Sequence, residues 1–168
     1  MSDVAPSVQR VIDAAAQGDL TLEIVEYPEG TRTAPDAAAA VGCVVGQIVK
    51  SLIFSVNDEL VLALTSGANR VDTGALAAAA GGDRCDRADA DQVREITGFA
   101  IGGVPPFGHV NPVRSFFDPD LLTYEAVWAA AGTPRHVFPI DPQQLLDLTG
   151  ASRATCLLYT SPSPRDRG

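Results

Sequence analysis

Two β-rich runs separated by a short polar segment constrain the fold of this chain more than any other feature. Residues 48–56 and 60–65 are rich in β-branched and other apolar side chains, and Asn57, Asp58 and Glu59 lie between them. A three-residue loop of this composition predicts an antiparallel β-hairpin. A hairpin in mid-chain breaks any regular alternation of parallel strands and helices, so we predict a mixed sheet.

Short helices and further strands surround the hairpin in the sequence. Capping residues and apolar positions at helical spacing predict helices at residues 6–18, 33–42, 72–82, 89–98 and 141–150. Strands are predicted at residues 20–27, 112–117 and 135–140, whereas residues 124–131 fit either a helix or a strand. The resulting fold class is α+β, with a curled mixed β-sheet forming a barrel-like core and helices outside it.

The character of the chain changes after the last predicted helix. Residues 155–168 have no hydrophobic periodicity and contain two Ser-Pro steps. We predict one domain over residues 1–151, followed by a disordered or non-native tail over residues 152–168.

Composition and charge exclude several classes of protein. No apolar stretch approaches the roughly 20 residues of a membrane-spanning helix, and the N-terminus lacks the pattern of a secretory signal. Cys43, Cys85 and Cys156 are too scattered to predict a disulfide framework or a zinc site. The net charge of −9 opposes general binding to DNA or RNA but allows a pocket that recognises one end of an RNA. We therefore expect a cytoplasmic domain without a cofactor.

Lys50 is the only lysine among the 12 basic residues. A strand over residues 48–56 places it on the same face as Ile48, Leu52 and Phe54. Burial of an unpaired ammonium is costly or lowers its pKa, so this face should supply a carboxylate or bind an anionic or strongly polar ligand. The alternative is a side chain that extends past the strand end to water.

A glycine- and proline-rich loop is the second candidate site. Its sequence is GGVPPFGH, residues 102–109. Paired glycines permit close backbone approach and the prolines stiffen the segment, so its amides are suited to holding a carbonyl or an oxyanion. The alternative is an ordinary turn between strands.

A third candidate is the junction from strand to helix at residues 66–72. Asn69 or Arg70 there could contact a phosphate or a ribose; alternatively, Asp72 only caps the helix and Arg70 is a solvated charge. The two histidines, His109 and His136, lack a third ligand at metal-binding spacing, so no metal site is predicted.

Four segments of the chain occur in the order VVGQIVKSLIF, LVLALTSGANRVD, GFAIGGVPPFGH and AAAGTPRHVFPIDPQQLLDLTGA. Together they resemble the YbaK/EbsC family, which includes the editing domain inserted in bacterial prolyl-tRNA synthetases and its free-standing relatives. The resemblance extends from about Val8 to Ala151. Its most specific part is a strand lysine followed by a GxxxP loop, here Lys50 and residues 102–106.

The resemblance implies an aminoacyl-tRNA deacylase that hydrolyses the ester of a mischarged tRNA at its 3′ aminoacyl-adenosine end, without a metal. It implies that Lys50 binds this end and is needed for activity, and that the loop containing Gly102, Gly103 and Pro106 holds the ester carbonyl or the amino acid. Other residues expected at the substrate site are Ser51, Ser66, Gly67, Asn69, Arg70, Phe107, Gly108 and His109. The family fold also favours a strand at Val127-Trp128, and a synthetase is a candidate partner.

A function of another class stays open from the sequence. The same fold can serve as a non-catalytic module that binds a nucleotide or a synthetase, although retention of Lys50 with the GxxxP spacing favours the enzyme. No serine-histidine-acid set is present. The resemblance implies substrate assistance instead, by a ribose hydroxyl or by the substrate's own side chain. The sequence leaves the edited amino acid open among alanine, cysteine, serine and others, because one or two methylenes discriminate weakly.

Overall fold

The computed structural model describes residues 6–27 and 33–153. Within these ranges the helices are α1 (Pro6–Gln17), α2 (Ala34–Val41), α3 (Thr73–Ala79), α4 (Ala90–Thr97) and α5 (Pro142–Thr149). The strands are β1 (Val25–Glu26), β2 (Val49–Val56), β3 (Glu59–Ser66), β4 (Cys85–Arg87), β5 (Arg114–Phe117), β6 (Val127–Ala130), β7 (His136–Ile140) and β8 (Ser152–Arg153). The five predicted helices are confirmed, and the ambiguous residues 124–131 contain a strand.

The strands are divided between two sheets. One has the order β4-β2-β3-β5-β8 and the other the order β1-β7-β6. The larger sheet is mixed, because β2 and β3 are antiparallel whereas β3 and β5 are parallel. The α+β class with a mixed sheet is confirmed, and the core is not a closed barrel: among the described strands, the two sheets share a core and are joined by one β-bridge, between Ile48 and Trp128.

The central hairpin forms as predicted, with a tighter turn. Val56 pairs with Glu59, so the loop has two residues rather than three. Asn57 and Asp58 both have positive φ, 48° and 74°. Turns of this type match the right-handed twist of the strands, and Asn and Asp tolerate the left-handed region better than other non-glycine residues.

Local capping accounts for the helix boundaries. The side chains of Thr33, Asp72, Asp89 and Asp141 each accept a hydrogen bond from a backbone N–H in the first turn of the following helix. A reciprocal hydrogen bond from the Thr33 backbone to Asp36 completes a capping box at α2.

Two predicted boundaries are wrong. The strand predicted at residues 20–27 is reduced to Val25 and Glu26, because β7 offers partners to these two residues alone. Ser152 and Arg153, assigned to the tail, pair with β5 as a short strand. The rest of the predicted tail, residues 154–168, lies outside the described residues.

The larger sheet is buried on both faces. Val49 and Ile53 of β2 face the main core, which includes buried residues of α1, α4 and α5. Phe54 and Val61 face a smaller cluster built on Leu76 of α3. Strand alternation places Lys50 on this second face.

Candidate functional site

A cavity of about 580 Å³ lies beside the first half of β2. Its lining includes Ile48 and Trp128, the two residues of the bridge, so it lies beside the junction of the two sheets. Its walls come from β2, α2, α4, the loop after α4, and the ends of β4 and β6. A partly enclosed cavity with a few polar groups among apolar ones, such as Val93 and Val104, suits a small ligand or the end of a larger one.

Lys50 lines this cavity and is half-buried. Its Nζ donates a hydrogen bond to the backbone oxygen of Asn69 at 2.8 Å. Burial lowers the pKa of the ammonium, the charges of Arg70 and Arg87 lower it further, and Asp118 acts in the opposite direction. The sequence predicted a partner for the buried charge of Lys50. In the structure this partner is the backbone carbonyl of Asn69, and the carboxylate of Asp118 also favours the charged form.

A buried hydrogen-bond network holds that carbonyl in place. The Asn69 side chain donates to Asp118 Oδ2 and to Asp120 Oδ2, both at 2.8 Å. Asp118 is fully buried and also accepts from the backbone N–H groups of Ser66, at 3.0 Å, and Asp120, at 2.9 Å. Burial raises the pKa of Asp118, and these hydrogen bonds oppose the rise. The network fixes the position of Asn69 and, through its carbonyl, that of the Lys50 ammonium.

Most of the site residues predicted at the strand-to-helix junction stabilise the structure around this network and do not line the cavity. The hydroxyl of Ser66 donates to Gly46 O at 2.7 Å. Gly67 lies so close to the preceding turn that a Cβ would be 2.5 Å from Val45 O. Among the described cavity-lining residues, none comes from this junction. Arg70 is exposed and reaches the site only through its charge.

The glycine-proline loop contributes one wall of the cavity. Gly102 lines it, together with Ile101 and Val104, and has a φ of 89° that favours glycine. Gly103 packs on the backbone of Thr133, where a Cβ would lie 2.7 Å from the Cα atom. The loop is therefore held rigidly against the segment between β6 and β7.

The second half of the loop anchors it to the core. Pro106 and Phe107 are buried, and the Phe107 ring lies 5.8 Å from that of Phe138. Gly108 packs against α1. His109 Nε2 donates to Pro105 O at 2.7 Å, and burial lowers the pKa of this imidazole. These residues pack the loop against the core and do not line the described cavity.

The cavity thus brings together three of the predicted residues, Lys50, Ser51 and Gly102. It also contains Arg87, which sequence reasoning missed, with its guanidinium 5.7 Å from the centre of the Phe54 ring. Arg87 reaches the site through the pairing of β4 with β2, a long-range contact with no local signal. Asp118 was missed too, although its position before Pro119 is typical of a capping aspartate.

The fold and the site define a class of protein: a small α+β domain with a lysine-bearing strand and a glycine-proline loop on two walls of one cavity. The profile of the aminoacyl-tRNA editing domain family matches residues 28–148. The chain belongs to this family, as the sequence resemblance predicted.

Individual relatives agree with this assignment. A solved structure of a candidate trans-editing enzyme for prolyl tRNA synthetase is 50% identical, with a TM-score of 0.84 over 90% of this chain and 97% of that one. The uncharacterized protein YwhH of Bacillus subtilis is 26% identical over 76% of this chain and 81% of its own length. The proline–tRNA ligase of Pelotomaculum thermopropionicum is 32% identical over 81% of this chain, which spans 24% of the ligase. The family thus has a role in editing, with a relationship to tRNA and to prolyl-tRNA synthetase.

Neither a membrane-spanning helix nor a cluster of metal-ligating side chains occurs among the described residues. No helix in them has the length and apolar character needed to cross a bilayer. They also contain no group of three or more His, Cys, Asp or Glu side chains arranged to hold a metal ion.

Proposed function

We propose that this protein is a free-standing aminoacyl-tRNA deacylase that hydrolyses the ester of mischarged tRNA without a metal. The observation that carries the proposal is the half-buried ammonium of Lys50 in the wall of a cavity that Gly102 also lines. Membership of the editing family supports it. A cytoplasmic location and a synthetase partner are part of the same proposal.

The site is suited to the charges that ester hydrolysis creates. Water adds to the carbonyl carbon of the ester, and the π electrons move to the carbonyl oxygen, which becomes an oxyanion. The bond to the ribose oxygen then breaks and that oxygen takes up a proton, which releases the free amino acid and the intact tRNA. Lys50 holds the anionic 3′ end, and preorganised amide donors at the loop stabilise the oxyanion.

The substrate assists the removal of a proton from the attacking water. The ionisable side chains that line the described part of the cavity are Tyr27, Lys50 and Arg87. Burial raises the pKa of Tyr27 to about 12, and the other two are cations, so none is a base at neutral pH. A ribose hydroxyl or a substrate side chain takes this role.

The decisive experiment compares Lys50→Ala with the wild type on a panel of mischarged tRNAs. Loss of the charge should reduce kcat/KM by about 100-fold or more, since fixed charges in water-poor sites contribute effects of this size. Arg84→Ala is the matched control, because Arg84 is an exposed cation paired with Asp86. A Lys50→Ala enzyme as active as the wild type refutes the assignment. If the wild-type protein releases no amino acid from any of these tRNAs but binds a nucleotide, it is a non-catalytic binding module.

A further inference from the structure

Strand β2 presents an unpaired edge to the cavity. In an antiparallel pair, successive residues direct their backbone N–H and C=O groups alternately toward the partner strand and away from it. Ile48 O accepts from Gly67 N at 2.7 Å on the β3 side. Ile53 O accepts from Ala88 N at 3.0 Å on the opposite side, toward β4. The alternation between these two points directs the backbone groups of Ser51 away from β3.

Neither neighbouring strand forms a β-bridge with Ser51 on that side. Within the described residues, β6 meets β2 at Ile48, and β4 pairs with β2 from Phe54 to Val56. The Ser51 hydroxyl is also buried without a hydrogen-bond partner. The backbone of Ser51 therefore lies at an open stretch of the strand edge, and Ser51 lines the cavity. Backbone groups at a strand edge that has no β-bridge are available to pair with a ligand.

A single open residue of a strand can pair with one residue of an antiparallel strand. The N–H of each residue then donates to the C=O of the other. An aminoacyl ester carries both groups in this arrangement, an α-ammonium and an ester carbonyl on one α-carbon. We propose that the aminoacyl group binds the edge of β2 at Ser51 as a single-residue β-strand. This inference rests on the proposed deacylase function and names the part of the site that holds the amino acid.

The pairing assigns a place to each part of the substrate. The α-ammonium donates to Ser51 O, and the carbonyl oxygen accepts from Ser51 N–H, which remains its donor when it becomes an oxyanion. Side chains of directly paired residues share a face of the sheet, so an L-amino acid directs its side chain to the Ser51 face. Val93 and Val104 line the cavity and belong to the core on that face. Lys50 lies on the opposite face, where it is free to hold the terminal nucleotide.

The first test uses the wild-type protein, so that folding is not in question. The aminoacyl-tRNA that is hydrolysed fastest is compared with the same tRNA carrying the matching α-hydroxy acid or the N-acetylated amino acid. Each rate is divided by the spontaneous rate, because the ammonium also activates the ester chemically. Loss of one charge-assisted hydrogen bond predicts a drop in normalised kcat/KM of about tenfold or more. Equal normalised values for all three esters overturn the proposal.

The second test observes the Ser51 amide directly. A ¹⁵N-labelled protein is titrated with 3′-deoxy-3′-(alanylamino)adenosine, in which an amide replaces the ester. The Ser51 amide resonance should shift at least as much as that of Gly102. Binding that moves the Gly102 resonance and leaves Ser51 unchanged overturns the proposal.

A pair of variants separates the backbone from the hydroxyl. Proline is tolerated where a strand N–H points out of the ladder. Ser51→Pro removes the hydroxyl and the N–H donor, whereas Ser51→Ala removes the hydroxyl and keeps both backbone groups. Ser51→Pro should be at least about 30-fold less active than Ser51→Ala, a loss typical of an oxyanion donor. Equal activity of the two overturns the proposal. Failure to hydrolyse any ester, with the Ser51 amide still shifted by the analogue, refutes the deacylase and supports the edge site.

Discussion

Asp118 is the buried centre of the network that positions Lys50, and its removal should lower the free energy of unfolding. The carboxylate accepts hydrogen bonds from Ser66 N at 3.0 Å, Asn69 Nδ2 at 2.8 Å and Asp120 N at 2.9 Å. In Asp118→Ala, the N–H groups of Ser66 and Asp120 lose this acceptor. The Asn69 amide keeps its second hydrogen bond, to Asp120 Oδ2.

The magnitude follows from the donors left unpaired. The Ser66 N–H is buried and costs about 1–3 kcal/mol without an acceptor, and the part-buried Asp120 N–H adds a smaller cost. Removal of a buried carboxylate, whose pKa is raised by its burial, offsets part of this. We expect a net loss of about 1–3 kcal/mol from a total free energy of unfolding of about 5–15 kcal/mol.

Urea unfolding at neutral pH measures this loss. Asp118→Asn keeps one acceptor oxygen and should fall between Asp118→Ala and the wild type. Asp86→Ala is the control, because Asp86 is exposed and its removal should change stability by about 0.5 kcal/mol or less. An Asp118→Ala protein as stable as Asp86→Ala would show that the network contributes nothing.

Three other predictions concern charge and backbone packing around the cavity. Because burial lowers the pKa of Lys50, its charged form destabilises the fold below 10.5, the ordinary value. Lys50→Met should therefore be at least as stable as the wild type at pH 7, and the difference in free energy of unfolding should shrink toward pH 10.5. Urea unfolding across this range measures the difference. A variant less stable than the wild type at neutral pH would contradict the prediction. Arg87→Ala removes a charge that lowers the pKa of Lys50, so the alkaline limb of the pH profile of kcat/KM should move to higher pH. An unchanged alkaline limb would show that Arg87 does not affect the pKa of Lys50. Gly103→Ala places a Cβ against the Thr133 backbone and should cost stability and activity together. Gly74→Ala, in α3 with 3.6 Å to the nearest atom, should stabilise by about 0.5–1 kcal/mol in thermal unfolding; equal effects of the two alanines would refute the packing argument.

The hairpin and the helix caps were predictable because their signals are local. A capping aspartate acts on N–H groups two or three residues away, and the turn at Asn57-Asp58 depends on residues that tolerate positive φ. The turn is one residue shorter than predicted and sets the register of the hairpin, whereas strand alternation by itself sets the face of β2 on which Lys50 lies. The family, too, is carried by local motifs on that strand and in the GxxxP loop.

The sequence alone therefore determined the five helices, the central hairpin, the class of fold and the lysine around which the site is built. Only the tertiary structure decided that the strands form two sheets, that Asp118 and Arg87 lie near Lys50, and that β2 is left open at Ser51. The reason is that an open strand edge is a property of its neighbours. β6 and β4 each cover a different end of β2, and their lengths and positions depend on contacts far apart in the chain, which no local pattern encodes.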